Sequence, residues 1–321
     1  MNLSKIKTFV KYALSITLLM FLFVQMDLSL LIGQALELNV FLMAAAIILI
    51  VAQIVFLNVR WHLLMNVGGR GISFEVSSLI NVASQLANIF FITSIGGIVT
   101  KSALAVRYGL SWTQSVFATF LDRFMTLAAL IVLSTLGLPF LISAVDDKLL
   151  IMLALTVSFV ILSVVFFVMI LRSGAIKNVI FTNRRRAYFV AILRTYSKQR
   201  AIMLKSGLIS IAAQICFILS VYVLSLGFDG TTQNGQVIEF LALIPVIALI
   251  SSLPISFGGW GVREGAFVYG LALIGFPMEV AFLLSVQVGL VTLIAPFLAG
   301  APYLLSARGR EIFKAKPKQS V

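Results

Sequence analysis

Runs of apolar residues long enough to cross a bilayer recur along this chain, each bounded by charged or turn-forming residues. A span needs about 20 such residues, and in hydrocarbon the backbone N–H and C=O groups have only each other as partners. Repeated runs of this kind therefore dictate an all-α polytopic membrane protein. Composition agrees: Ala, Val, Ile, Leu, Met, Phe, Trp, Tyr and Cys make up 61% of the 321 residues, and charged residues only 11%. A soluble domain carries about 25% charged residues. A soluble enzyme or a secreted disulfide scaffold is excluded on these grounds. Cys216 and His62 are the only residues of their types. No internal disulfide, no two-histidine metal site and no His–Cys–Asp triad can be built, so no metal or cofactor is expected. Cys216, inside the apolar run 209–226, reads as a small packed residue.

The order of charges sets the expected orientation. Val10–Val24 follows Lys5 and Lys7, and Phe23-Val24-Gln25-Met26-Asp27 offers no small-x-small cleavage site, so it reads as a retained first span entering from the cytoplasm. The next loop carries Asp27 and Glu37 without Lys or Arg, and the second span, Asn39–Asn58, delivers Arg60, His62 and Arg70 to the cytoplasmic side. The third span, about Thr113–Ile142, ends at Asp146-Asp147 outside, and the fourth, Leu149–Leu171, returns to a basic loop over 172–205 that holds no acid. That loop, with Arg184-Arg185-Arg186 at its centre, should lie on anionic headgroups. It lacks the interleaved aromatics that nucleic-acid binding needs, so the net charge of +13 points to lipid rather than nucleic acid. The fifth span, Ser206–Leu226, exits to Asp229 and Glu239; the sixth, Val280–Ser306, returns to a tail with Arg308, Arg310 and Lys314. Both termini are then cytoplasmic.

Two apolar segments do not fit this alternation. Ser77–Thr93 and Ile98–Tyr108 are each too short to span and are separated by Ser94-Ile95-Gly96-Gly97, with basic residues at both ends. A re-entrant hairpin over 77–108, open to the cytoplasm, satisfies both length and charge. Residues 240–276 repeat the pattern between Glu239 and Glu279, broken from Pro254 to Glu264, and imply an outside-facing hairpin. The chain thus divides into halves 1–145 and 146–321, each span, span, hairpin, span, with opposite starting sides. Local matches support the division. Ala52-Gln53-Ile54-Val55-Phe56-Leu57 resembles Ala213-Gln214-Ile215-Cys216-Phe217-Ile218, and Ser94-Ile95-Gly96-Gly97 before Lys101 resembles Ser256-Phe257-Gly258-Gly259 before Arg263. Gly109 and Gly275 then open the last helix of each half. About six spans plus two hairpins in an inverted repeat is the architecture of transporters whose site lies near mid-membrane.

Charged residues within these segments mark candidate chemistry. Asp122 and Arg123 lie about nine residues into the third span, roughly 14 Å at 1.5 Å per residue, and should face the protein interior. Neighbours in sequence point about 100° apart on a helix, so each should pair with other groups rather than with its neighbour. Lys101, Arg263 and Glu264 fall at the hairpin breaks. Three interior cations against two carboxylates leave one positive charge, or two with Arg107 at the cytoplasmic mouth. That balance suits an anion such as a phosphate; equally, the same charges could form a buried network that fixes the hairpins. Gly258-Gly259-Trp260-Gly261 lacks the Gly-Lys-Ser/Thr pattern of a nucleotide loop, and its glycines serve a bent backbone. Arg60-Trp61 reads as an interfacial aromatic-basic anchor. Gln53, Gln85, Asn88, Gln214 and Gln287 suit either a lined path or polar contacts between helices.

Pro254-Ile255-Ser256-Phe257-Gly258-Gly259-Trp260-Gly261-Val262-Arg263-Glu264 resembles the P-x-S-x-G-G-x-G-x-R-E signature of the lysylphosphatidylglycerol synthase transmembrane-region family, the flippase-like domain proteins. Arg60-Trp61, the stretch Asn88 to Gly97 and Asp122-Arg123 fall where that family has its R-W, its first glycine motif and its acid–arginine pair. The resemblance covers almost the whole chain. It implies a bundle related to the lipid-translocating part of the multiple peptide resistance factor, in a prokaryotic plasma (inner) membrane. Two departures stand out. The first motif reads Gly96-Gly97-Ile98-Val99-Thr100-Lys101, without the family's acid and with Lys in place of Arg. The chain also ends soon after the sixth span, leaving no room for an aminoacyl-transferring domain. The expected function is translocation of an anionic lipid or lipid-linked headgroup, without catalysis. Lys101, Asp122, Arg123, Ser256, Gly258, Gly259, Gly261, Arg263 and Glu264 are the candidate binding residues; Gly96, Gly97, Pro254, Arg60 and Trp61 support the hairpins. The alternative is a membrane enzyme, or an accessory subunit partnering a lipid- or glycan-modifying enzyme.

Overall fold

A computed structural model describes residues 39–67, 71–90, 96–142, 198–228, 236–252 and 260–305, with single positions and short runs between 17 and 33 and at 151, 158, 162, 195 and 196. Most of the first and fourth expected spans, the Arg184-Arg185-Arg186 stretch, Ser94, Ser256, Gly258, Gly259 and Pro254 lie outside the described residues. Among those described, the helices are α1 (Val40–Met65), α2 (Phe74–Phe90), α3 (Gly96–Arg107), α4 (Trp112–Leu141), α5 (Arg200–Ser225), α6 (Val237–Ser251), α7 (Val262–Ala272) and α8 (Met278–Leu305), with no strand. Four of them, α1, α4, α5 and α8, are long and apolar enough to cross a membrane.

Local chemistry explains the boundaries. Asn39 caps α1, its side chain accepting from the N–H groups of Phe41 and Leu42 at 3.0 and 3.3 Å. Ser111 does the same for α4 through the Gln114 N–H at 3.2 Å. Gly109 and Gly275 do not open the helices that follow them, as their sequence positions suggest; they close the short helices that precede. Each has positive φ (90° and 83°), which L side chains rarely adopt. Each end carries the same pair of bonds: Gly109 N–H to Val106 O and Leu110 N–H to Ala105 O, and Gly275 N–H to Ala272 O and Phe276 N–H to Leu271 O. This is the Schellman arrangement, which satisfies the last carbonyls of a helix.

Two sequence-based boundaries are corrected. The second span does not stop at Asn58 but continues as helix to Met65, carrying Arg60 and Trp61 into the protein, with exposures of 1% and 0%. They are no interfacial anchor. Hydropathy falls there because the last two turns of α1 face other helices instead of lipid. Likewise α5 begins at Arg200, so Arg200 and Lys205 are helical rather than part of a loop running to 205.

The packing has an internal regularity. Under the exchange of α1 with α5, α2 with α6, α3 with α7 and α4 with α8, every close helix pair maps onto another close pair. Thus α1–α2 maps onto α5–α6, α2–α3 onto α6–α7, α3–α4 onto α7–α8, α2–α8 onto α4–α6, α1–α4 onto α5–α8 and α1–α8 onto α4–α5. The α1–α5 pair maps onto itself and runs antiparallel: Ser220 Oγ donates to Ala46 O at 3.1 Å, whereas Arg60, further along α1, reaches back to Ser210. Small residues at the crossing let the backbones approach. Gly137 of α4 meets the α6 backbone closely, where an added Cβ would lie 2.8 Å from Ala242 O. The main core lies among α1, α5, α6, α7 and α8, built on Ile50, Leu224, Leu243, Phe267 and Leu284. A second cluster around Trp61, Leu64, Ile80 and Tyr196 seals the end of α1, where Tyr196 Oη donates to Leu64 O at 2.7 Å.

Candidate functional site

The long helices leave a cavity of about 510 Å³ between the two sets, reached by α1 to α4 from one and α5 to α8 from the other. Its most charged wall is centred on Asp122 of α4. Oδ1 accepts from Arg60 Nε and lies 2.7 Å from Nη2; Oδ2 accepts from Lys101 Nζ at 2.9 Å. The rest of the Arg60 fork is also satisfied, Nη1 by Ser210 Oγ and Nη2 by Thr126 Oγ1, both at 2.8 Å. Thr126 in turn donates to the Asp122 carbonyl, and Ser210 to the Ser206 carbonyl, so neither hydroxyl is free to rotate away. Lys101 Nζ lies 4.6 Å from the centre of the Trp61 ring, a cation–π contact inside the protein. Three helices thus meet at one carboxylate, shared by two cations. As the sequence suggests, Asp122 pairs with distant groups rather than with Arg123.

The opposite wall has its own cation. Arg263, on the first turn of α7, donates through Nε and Nη2 to Glu264 Oε1 at 3.0 and 2.5 Å. Glu264 is fully buried, and its Oε2 accepts the Gly261 N–H at 2.5 Å. Glu264 therefore makes the return bond of a capping box at the start of α7, from N3 to the N-cap N–H, while Gly261, with φ 86°, has no side chain to complete the other half. It holds Arg263 from behind and does not line the cavity. The Trp260 ring lies 4.5 Å from the guanidinium carbon. On the other side is Gly289 of α8, where a Cβ would fall 2.5 Å from Nη2; only a glycine leaves room for the arginine there.

Counting from the glycines that end α3 and α7 brings the walls into register. Arg123 stands fourteen residues past Gly109, and Gly289 fourteen past Gly275. Thr126 and Thr292 stand seventeen past, each donating to the carbonyl four residues back. Lys101 and Arg263 each come four residues after a glycine of their motif. One half has an arginine on the long helix, and the other keeps that place empty of side chain for the arginine of its short helix.

Lys101, Asp122, Arg123 and Arg263 come together around the cavity, with Gly97 in its wall; Gly261 and Glu264 lie behind it. Arg123 is the lining cation with no carboxylate partner among the described residues; unlike Asp122 it is not buried as the sequence suggests but exposed, at the edge of the cavity. Sequence reasoning placed Arg60 at the interface and passed over Gly289 and Thr119. The periodicity could have found Arg60: Gln53, Leu57 and Arg60 follow at intervals of four and three, one helix face, and all three line the cavity. Thr119 and Gly289 carry no signal in a single sequence.

Compared with known families, residues 8–300 match the family described as the lysylphosphatidylglycerol synthase TM region. No curated protein and no solved structure matches the chain.

Proposed function

This chain belongs to the lysylphosphatidylglycerol synthase transmembrane-region family, and from that premise we propose that it is a translocase for an anionic lipid or lipid-linked headgroup, bound near mid-membrane between two inverted halves. The observation that carries the proposal is a cavity lined from both helix sets by Arg60, Lys101, Arg123 and Arg263 against Asp122, the single carboxylate among its described lining residues. With Glu264 counted behind Arg263, two positive charges remain for a ligand. Membrane-embedded charge left uncompensated is costly unless it has work to do.

An inverted repeat of six spans and two re-entrant hairpins is supported by the symmetry of the helix contacts. A two-fold axis in the membrane plane makes equivalent helices that touch each other run antiparallel, whereas an axis along the membrane normal would make them parallel. The self-paired helices α1 and α5 are antiparallel. On this scheme α2–α3 and α6–α7 enter from opposite sides, rocking of one set against the other exposes the cavity to each face in turn, and the termini lie in the cytoplasm of a prokaryote. As for enzymatic chemistry, Asp122 is held by two cations and Glu264 by a cation and a backbone N–H, so neither oxygen pair is free to act as a general base.

The test is leaflet movement in reconstituted vesicles. Wild type should move an acyl-labelled anionic phospholipid, and Arg123→Ala should slow it about tenfold or more with an unchanged melting temperature. A chemically altered lipid among the products would favour the enzyme. Movement insensitive to both Arg123→Ala and Arg263→Ala would place the path elsewhere.

A further inference from the structure

Resting on that reading of the cavity, we propose that its headgroup is a hydroxyl-rich phosphodiester carrying no amine: a phospho-polyol or phosphoglycosyl lipid, and not a zwitterionic or aminoacylated one. Two observations lead there.

The first is what the walls withhold. An ammonium group is held best by a free carboxylate, and the described lining presents none. Asp122 is the only carboxylate among the described lining residues, with Oδ1 taken by Arg60 and Oδ2 by Lys101. Glu264, the nearest other acid, is fully buried with both oxygens engaged. A lysyl or ethanolamine headgroup would bring its positive charge among four lining cations, Arg60, Lys101, Arg123 and Arg263, which repel it. A phosphodiester meets the reverse: its single negative charge can pair with Arg123, which has no carboxylate partner among the described residues, and reduces the excess of two positive charges to one.

The second is what the walls offer besides charge. Thr119 is 1% exposed and lines the cavity, and its hydroxyl has no hydrogen-bond partner among the described residues; nor has Nε2 of Gln85. Seven other buried side chains share that lack, but only these two face the cavity, where a ligand can supply the missing partner. Gln53 and Gln214, each able to donate and accept, share the lining. Gln85 Nε2 only donates and takes either a hydroxyl or a phosphate oxygen, whereas Thr119 Oγ1, Gln53 and Gln214 can also donate to or accept from hydroxyls, which phosphate oxygens cannot match in both senses. Trp260 adds an aromatic surface beside Arg263, and about 510 Å³ falls within the range of small-molecule sites.

The experiment uses the full chain in phosphatidylcholine vesicles with acyl-labelled phosphatidylglycerol, phosphatidylinositol, phosphatidic acid, phosphatidylethanolamine and lysyl-phosphatidylglycerol. Phosphatidylglycerol and phosphatidylinositol should move about tenfold faster than the two amine-bearing lipids, and phosphatidylinositol about tenfold faster than phosphatidic acid. Gln85→Leu combined with Thr119→Val should bring the phosphatidylinositol to phosphatidic acid ratio close to one, each lost hydrogen bond being worth about fivefold. Lysyl-phosphatidylglycerol moving as fast as phosphatidylglycerol overturns the exclusion of amines. Phosphatidic acid matching phosphatidylinositol in the wild type overturns the role of the hydroxyls, whether or not the double variant folds. Both of those results leave an anionic-lipid translocase standing. If no labelled lipid moves or binds by native mass spectrometry, that reading itself fails and the proposal with it. Uptake of free inositol phosphate without lipid movement would make the ligand a soluble phospho-polyol and refute the lipid.

Discussion

Replacing Asp122 by asparagine takes the carboxylate from between two buried cations, whose side chains are 2% (Arg60) and 7% (Lys101) exposed. Both would keep their charge with no anion to face, close to each other across the vacated oxygens. Stranding a buried charge in this way costs about 3–5 kcal/mol. Lys101→Met is the instructive contrast. Asp122 then keeps Arg60 on Oδ1, and the loss is one charge-assisted hydrogen bond of about 1.5–3 kcal/mol. That loss is offset by no longer desolvating an ammonium, which costs several kcal/mol per ion. The net penalty should stay below about 1.5 kcal/mol, since methionine fills a similar volume. At about 2 °C per kcal/mol for a chain of this size, melting in detergent should fall by about 6–10 °C for Asp122→Asn and by about 3 °C or less for Lys101→Met. The double variant should melt above Asp122→Asn alone, because removing the lysine relieves the repulsion with Arg60. If Lys101→Met were the more damaging single change, or if the double variant fell by the sum of both, Asp122 would not be the charge that organises the three helices.

Further predictions follow from the same geometry. Arg263→Lys should retain only part of the transport lost in Arg263→Ala, because a single ammonium nitrogen lacks the planar fork that engages Glu264 through Nε and Nη2 while Nη1 stays directed elsewhere. Gly289→Ala puts a methyl group 2.5 Å from Arg263 Nη2 and should slow lipid movement as the guanidinium is displaced, while melting changes by about 1–3 kcal/mol at most; full activity would mean that this arginine pose is not the working one. Gly137→Ala forces the α4 and α6 backbones apart and should lower the melting temperature, with no flexible side chain available to yield. In a Cys216→Ala background, single cysteines at Arg107 and Pro277 should react with impermeant thiol reagents from opposite faces of the membrane; labelling from the same face would refute the inverted arrangement.

What the sequence determined by itself is whatever hydrophobic length and local backbone chemistry dictate. Apolar runs of spanning length, charges mostly at their ends and the near absence of Cys and His left only a helical membrane protein, and the long helices α1, α4, α5 and α8 lie where those runs lie. The broken segments were legible from Gly96-Gly97 and from the glycines through Gly261, and the charge-bearing positions Lys101, Asp122, Arg123 and Arg263 from their cost in lipid. The tertiary structure decided which charge meets which. Arg60 looked like an interfacial anchor because hydropathy measures contact with lipid, and it cannot distinguish a helix end in water from one sheltered by α4 and α5. Glu264 looked like part of a binding site, but its distance of three residues from Gly261 makes it a helix cap, a role visible only once α7 starts at Val262. Gly289 had no reading at all, since a glycine that makes room for a side chain from another helix is defined by that neighbour. Ion pairing and close packing depend on residues far apart in sequence, Arg60 with Asp122 and Arg263 with Gly289, and a one-dimensional pattern carries no term for them.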